Sequence, residues 1–152
     1  MKLKKQLKYK NVLVASVFLM VISTTNATSI QILNPGFEYG FVGWDDTDPS
    51  AISLSASNTG NKSAKVTGEG GGFQQKVGVR QNTDYELVAY IRGDGEIGVI
   101  VNGTTYSDDG GGDDYFDDVD VSFNSGSATE VIIFGRYDGE KSRFDDFTLK
   151  SD

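Results

Sequence analysis

The chain has 152 residues, with 22 acidic and 14 basic side chains, a net charge of −8, and neither cysteine nor histidine. That length fits one domain. The missing residues exclude disulfides, Ser–His and Cys–His nucleophile pairs and nitrogen or sulfur metal sites, so any metal must be held by oxygens and calcium is the expected ion.

Residues 1–27 read as a secretory signal peptide. Met1–Lys10 carries five lysines and no acid, Val12–Ile22 is apolar or small throughout, and Thr25 and Ala27 stand where a cleavage site needs small residues. Eleven apolar residues span only about half a bilayer core, so a membrane anchor is not expected. Without these five lysines, nine basic residues face 22 acidic ones, a net charge of −13. Nucleic acid is thereby disfavoured as a partner, and a secreted or periplasmic monomer with no membrane contact is expected.

From Thr28 onward the pattern is β. Ser29–Leu33 reads as a strand leading into the corner Asn34-Pro35-Gly36-Phe37-Glu38-Tyr39-Gly40-Phe41-Val42-Gly43-Trp44. Pro35 and three glycines turn the chain there, while Phe37, Phe41 and Trp44 supply apolar area around one acid, Glu38. Ala51–Ser55 and Ser63–Thr67 flank the turn Ser57-Asn58-Thr59-Gly60-Asn61. Gly72–Val79 alternates, with Phe73, Gln75 and Val77 on one parity and Gln74 and Lys76 on the other.

Thr83–Arg92 is the clearest strand. Tyr85, Leu87, Ala89 and Ile91 share one face and Glu86, Val88, Tyr90 and Arg92 the other. Glu96–Val101 and Thr104–Tyr106 form a hairpin on Asn102-Gly103. Ser107–Tyr115 reads as an acidic, glycine-rich solvated loop; over 107–118 it invites a second calcium but lacks the EF-hand order. Asp118–Phe123, Thr129–Tyr137 and Ser142–Lys150 complete nine or ten strands without a helix, which predicts an all-β antiparallel jelly-roll β-sandwich over 28–152.

Four pieces in order carry a resemblance. They are Asn34–Glu38 with Gly43-Trp44, then Gly60–Val66, Thr83–Tyr90, and Phe144-Asp145-Asp146-Phe147-Thr148-Leu149. Together they resemble the jelly-roll carbohydrate-binding modules attached to bacterial polysaccharide-degrading enzymes, of the families numbered four, nine, sixteen and twenty-two. The resemblance implies a non-catalytic module that binds polysaccharide on its concave sheet. It also implies a structural calcium clasping the first and last strands, with Glu38 and Asp145 giving side-chain oxygens and Gly60 and Lys62 giving carbonyls. Adjacent acids on a regular strand face opposite ways, so Asp146 joins Asp145 there only through a bulge.

Beside the resemblance, strand parity nominates a sugar-binding face. Gln74, Lys76, Tyr90, Arg92, Asn102, Phe134 and Arg136 all take the non-core parity of their segments. Rings stack on sugar C–H faces, and amides and guanidinium groups pair with hydroxyls and carboxylates. Three cations on one face of an acidic protein point to an anionic glycan such as a uronate polymer. A small jelly-roll lyase or glycosidase and an extracellular adhesion or matrix domain are the other readings. No motif pairs two carboxylates as a glycosidase requires, and the fold alone does not separate a glycan binder from an adhesion domain.

Overall fold

The computed structural model describes residues 27–151, so the signal segment proposed for 1–27 lies outside the described residues apart from Ala27. Eleven strands follow in order: β1 Thr28–Ile30, β2 Asp45–Thr47, β3 Ser50–Ser53, β4 Ser63–Val66, β5 Gly72–Gly78, β6 Asp84–Arg92, β7 Gly95–Val101, β8 Thr104–Gly110, β9 Asp117–Asn124, β10 Glu130–Tyr137 and β11 Ser142–Ser151. Every strand pair is antiparallel. The first sheet runs β3-β4-β11-β6-β9, with β1 also on β11; the second runs β2-β5-β10-β7-β8. This is the expected all-β sandwich, consistent with a jelly roll.

Alternation decides which side chains meet between the sheets. On β6 the predicted inward set Tyr85, Leu87, Ala89 and Ile91 is buried, and it packs with Ile97, Val99 and Val101 of β7 and Val131 and Ile133 of β10. At one end six rings from the corner, β5 and β11 form a continuous cluster. Phe37 lies 5.1 Å from Trp44 and 5.0 Å from Phe73, and Phe73 lies 5.2 Å from Phe144. Such pairs add about 0.5–1.5 kcal/mol each beyond area burial. Trp44 therefore serves the core, as expected of a lone tryptophan beside glycine turns.

Asn34 organises the corner from an αL backbone, φ 48°. Its amide nitrogen donates to the carbonyls of Gly40 (2.8 Å) and Val42 (3.2 Å), and its side-chain oxygen accepts from Tyr39 N. Its own carbonyl accepts from Trp44 Nε1 at 3.1 Å. The inward Gln75 bonds both Leu33 N and Leu33 O, replacing the strand partner that the segment after β1 lacks.

Two segments differ from expectation. Asp45–Thr47 is a strand although all three residues are exposed and none is apolar; it pairs with Gly72–Gln74. Ser107–Gly110, expected in the acidic loop, continues β8 by pairing with Gly95–Gly98. In both cases backbone pairing with a buried neighbour forms the strand, without an apolar pattern of its own.

Candidate functional site

The clasp at the corner comes first. Gly60, at φ +61°, carries no Cβ, and one would collide with the Glu38 carboxylate. That leaves Glu38 Oε1 to accept from Asn61 N at 2.8 Å and Lys62 N at 2.9 Å, while Lys62 Nζ donates to Glu38 O at 2.7 Å. The Asn61 and Lys62 N–H groups hold the Glu38 carboxyl below its usual range. On β11 the register shifts between Asp145 and Thr148, and Asp146 takes φ 50°. This bulge brings both acids to one place, as their adjacency requires.

Asp145 is fully buried there. Its Oδ2 accepts from Asn58 N at 2.7 Å and Thr59 N at 3.3 Å, and its Oδ1 from Asp146 N at 2.9 Å. Asp146 bonds the Asn58 amide (2.9 Å) and the Thr59 hydroxyl (2.8 Å). Phe147 N reaches Pro35 O at 3.1 Å, which ties the closing strand to the corner. Burial, with the charge of Asp146, pushes the Asp145 carboxyl up to about 7 against the three N–H donors. Glu38, Gly60, Lys62 and Asp145 are thus parts of one construction, three chain segments tied by carboxylates.

Both carboxylates already accept backbone N–H groups, two on Glu38 Oε1 and three on Asp145, and Lys62 Nζ bonds the Glu38 carbonyl. A buried acid stands beside a second acid, and no cationic side chain contributes to its environment. Elsewhere, Asp94, Asp109 and Asp138 bring carboxylate oxygens within 4.8 Å of one another, all exposed, an arrangement able to chelate a divalent ion. Partial desolvation and the charges of Asp109, Asp94 and Glu96 raise the Asp138 carboxyl against the pull of Arg136.

The outer face of the second sheet holds a cleft of about 300 Å³. Register builds it in rows. Phe134 of β10 stands between Gln74 on β5 and Gly98 on β7, and Arg136 between Gly72 and Glu96. The glycine at 98 leaves the space that the Phe134 ring fills, so the ring is the floor of the cleft rather than an exposed platform. Arg136 lies over it, its guanidinium carbon 4.9 Å from the ring centroid.

Glu96 fixes that guanidinium by a fork, with Nη2 donating to Oε1 at 2.7 Å and Nε donating to Oε2. Burial opposes ionisation of Glu96, but the bonds from Arg136 and Ser107 and the charge of Arg136 hold its carboxyl below the usual range; the Glu96 bond raises Arg136 in return. Asp45, Thr47, Ile100 and Tyr137 complete the walls.

Of the seven face residues named from parity, Gln74, Phe134 and Arg136 meet in this cleft. Lys76 shares the face one row along, 3.6 Å from Glu130. Asn102 sits in the β7–β8 turn at φ 49° and bonds Ser127 Oγ at 3.2 Å. Tyr90 and Arg92 are on β6, in the opposite sheet, so the structure does not gather them with the others. The three cations do not form one groove: two are on this sheet, each paired with an acid, and the third is on the other. Parity told in from out but not one sheet from the other. Asp45, Thr47 and Glu96 were missed, the first two because their strand has no apolar pattern.

A family model described as a carbohydrate-binding domain, of types four and nine, matches residues 29–133. The chain belongs to that family. Solved structures agree on the fold. A CBM61 module in complex with β-1,4-galactotriose is 18% identical with a TM-score of 0.62, covering 82% of this chain and 100% of its own. The CBM22-1 xylan-binding domain of Paenibacillus barcinonensis Xyn10C is 17% identical with a TM-score of 0.58, covering 82% and 92%. A cleaved adhesin domain of Lys-gingipain from Porphyromonas gingivalis is 12% identical with a TM-score of 0.53, covering 82% and 99%. No curated protein matches the sequence. The family is described as one of carbohydrate binding rather than catalysis, which favours a non-enzymatic module over the lyase and glycosidase readings.

Proposed function

We propose that this carbohydrate-binding module holds a polysaccharide chain in the cleft on the outer face of the second sheet. The observation that carries the reading is the Glu96–Arg136–Phe134 stack. A guanidinium fixed by a carboxylate fork over a ring presents planar donors beside an apolar floor, the two halves of sugar recognition. Gln74 and Asp45 add an amide and a carboxylate for hydroxyls at the rim. Solved relatives described as xylan-binding or bound to galactotriose support a glycan ligand for this fold.

We further propose that calcium occupies the corner clasp, held by carboxylate oxygens of Glu38 and Asp145 and carbonyls of Gly60 and Lys62. There it would neutralise a buried acid and stabilise the folded form by RT ln(1 + [Ca]/Kd). We also propose that residues 1–27 are removed on export and that the module acts outside the cytoplasm as a monomer. In the adhesion reading, the protein would bind no sugar.

A glycan array on the purified protein, with and without calcium, tests the first proposal. Binding to at least one polysaccharide is expected, and Phe134→Ala or Arg136→Ala should abolish it while the fold persists. Silence across the array would favour the adhesion reading. Calcium is tested by melting: chelation should lower the melting temperature, and an unchanged value would remove the ion from the clasp.

A further inference from the structure

The opposite face of the sandwich shows a different charge arrangement. On β11, Arg143 stands directly across from Arg92 on β6 and from Lys65 on β4. The next residues in register, Phe144, Ile91 and Ala64, are all core, so alternation points the three cations outward from the first sheet. Three positive charges thus lie side by side on three neighbouring strands, about 4.8 Å apart per strand. Like charges placed directly opposite destabilise a sheet.

This row is scarcely neutralised. The Arg143 guanidinium is held by hydroxyls, with Nε donating to Ser53 Oγ at 3.1 Å and Nη2 to Ser55 Oγ at 3.4 Å. Lys65 forms no ion pair among the described residues. Arg92 has only Asp114, 3.9 Å away with its side chain 99% exposed. All three cations are half-buried against the sheet. On the second sheet, by contrast, Arg136 and Lys76 each meet an acid across a strand. In a chain with 22 acids, the row leaves unpaired charge where pairing would be easy. Tyr90 stands in the adjacent outward row, between Asp145 and Asp118. The turn carrying Asn58 and Thr59 closes over Asp145 and bounds the row on that side.

We propose that Lys65, Arg143 and Arg92 form a second binding site, which takes the carboxylate or sulfate groups of an acidic polysaccharide. A straight row across an open sheet suits a polymer that repeats its anionic group. Guanidinium forks pair with such oxyanions bidentately, and Tyr90, in the next outward row, offers a ring on which an adjoining pyranose would stack. The hydroxyls on Arg143 orient its fork without cancelling its charge. The site shares no residue with the cleft on the second sheet and does not depend on it.

The test is affinity electrophoresis of the purified protein through gels holding polygalacturonate, dextran sulfate or a neutral xylan. Ionic strength is kept near 0.1 M, where a Debye length of about 10 Å screens the distant acids but spares contact pairs. Retardation by polygalacturonate, dextran sulfate or both is expected, and the polymer that retards more names the group. Lys65→Gln and Arg143→Gln should each weaken that retardation several-fold, and the double variant more than tenfold. Melting should stay unchanged or rise, because like charges have been removed. Phe134→Ala should leave the retardation intact, which separates this site from the cleft. No retardation by either acidic polymer would overturn the proposal, as would equal retardation of wild type and the folded double variant.

Discussion

The clasp and the cleft are both built on carboxylates, and they use them in opposite ways. In the clasp, Asp145 is buried and takes three backbone N–H groups, two from the remote turn at Asn58-Thr59 and one from its neighbour Asp146, with no cationic side chain against it. In the cleft, Glu96 remains near the surface and takes a single guanidinium. The first carboxylate positions backbone, so its loss is felt as stability. The second positions a side chain, so its loss is felt as recognition. The local partner, not the residue type, decides which role an acid has.

The sharpest way to break this comparison is Asp145→Ala. It strands up to three buried N–H groups, at about 1–3 kcal/mol each. The expected result is a protein that unfolds or melts far below wild type; a melting temperature close to wild type would remove the clasp from the fold's support. Next in size is Gly60→Ala, which places a methyl against the Glu38 carboxylate at a positive φ. It should cost about 1–3 kcal/mol in denaturant unfolding, and no loss would mean that the turn at Gly60 yields freely.

The pH dependence follows from Asp145. Its folded carboxyl titrates at about 7 against 3.8 for the ordinary group. Between these values the folded state binds the extra proton, so stability falls as pH rises from about 4 to about 7 and is flat above. Below that window the lowered carboxyls of Glu38 and Glu96 act the other way, and stability falls as pH drops through their folded values. Melting the chelated protein at intervals across this range should show the decline, and Asp145→Asn should flatten it. A chelated wild type that gains stability from pH 5 to 7 would contradict it.

The smallest expected effect on folding is Glu96→Gln. An ion pair near the surface contributes about 0–1 kcal/mol, so melting should hardly move. Glycan affinity should drop several-fold as Arg136 loses its orientation. If melting collapsed and affinity held, the two carboxylates would not differ as described.

Much of the fold was legible because alternation is a local signal. Tyr85 to Arg92 declared its two faces, and the burial of every second residue follows. Glu38 and Asp145 were singled out because their segments keep a family's order, but the N–H donors on them were not, since a sequence does not show which backbone faces an acid. The cleft was half legible. Gln74, Phe134 and Arg136 stood out by parity, but assigning a strand to a sheet depends on pairing. Strand β6 joins β11, and β10 lies between β5 and β7, so Tyr90 left the group. The cation row was invisible for the same reason, since residues 65, 92 and 143 meet only through register.

Strand β1 pairs with the end of β11, Thr28 opposite Ser151. Entry and exit points of the domain are therefore neighbours, one strand spacing apart. Joining them through a short linker and reopening the chain at the exposed Asn102-Gly103 turn should give a permuted protein with the same sandwich. Spliced by those two points into a surface loop of a host protein, the domain would hang from one spot with both sheet faces clear of the host.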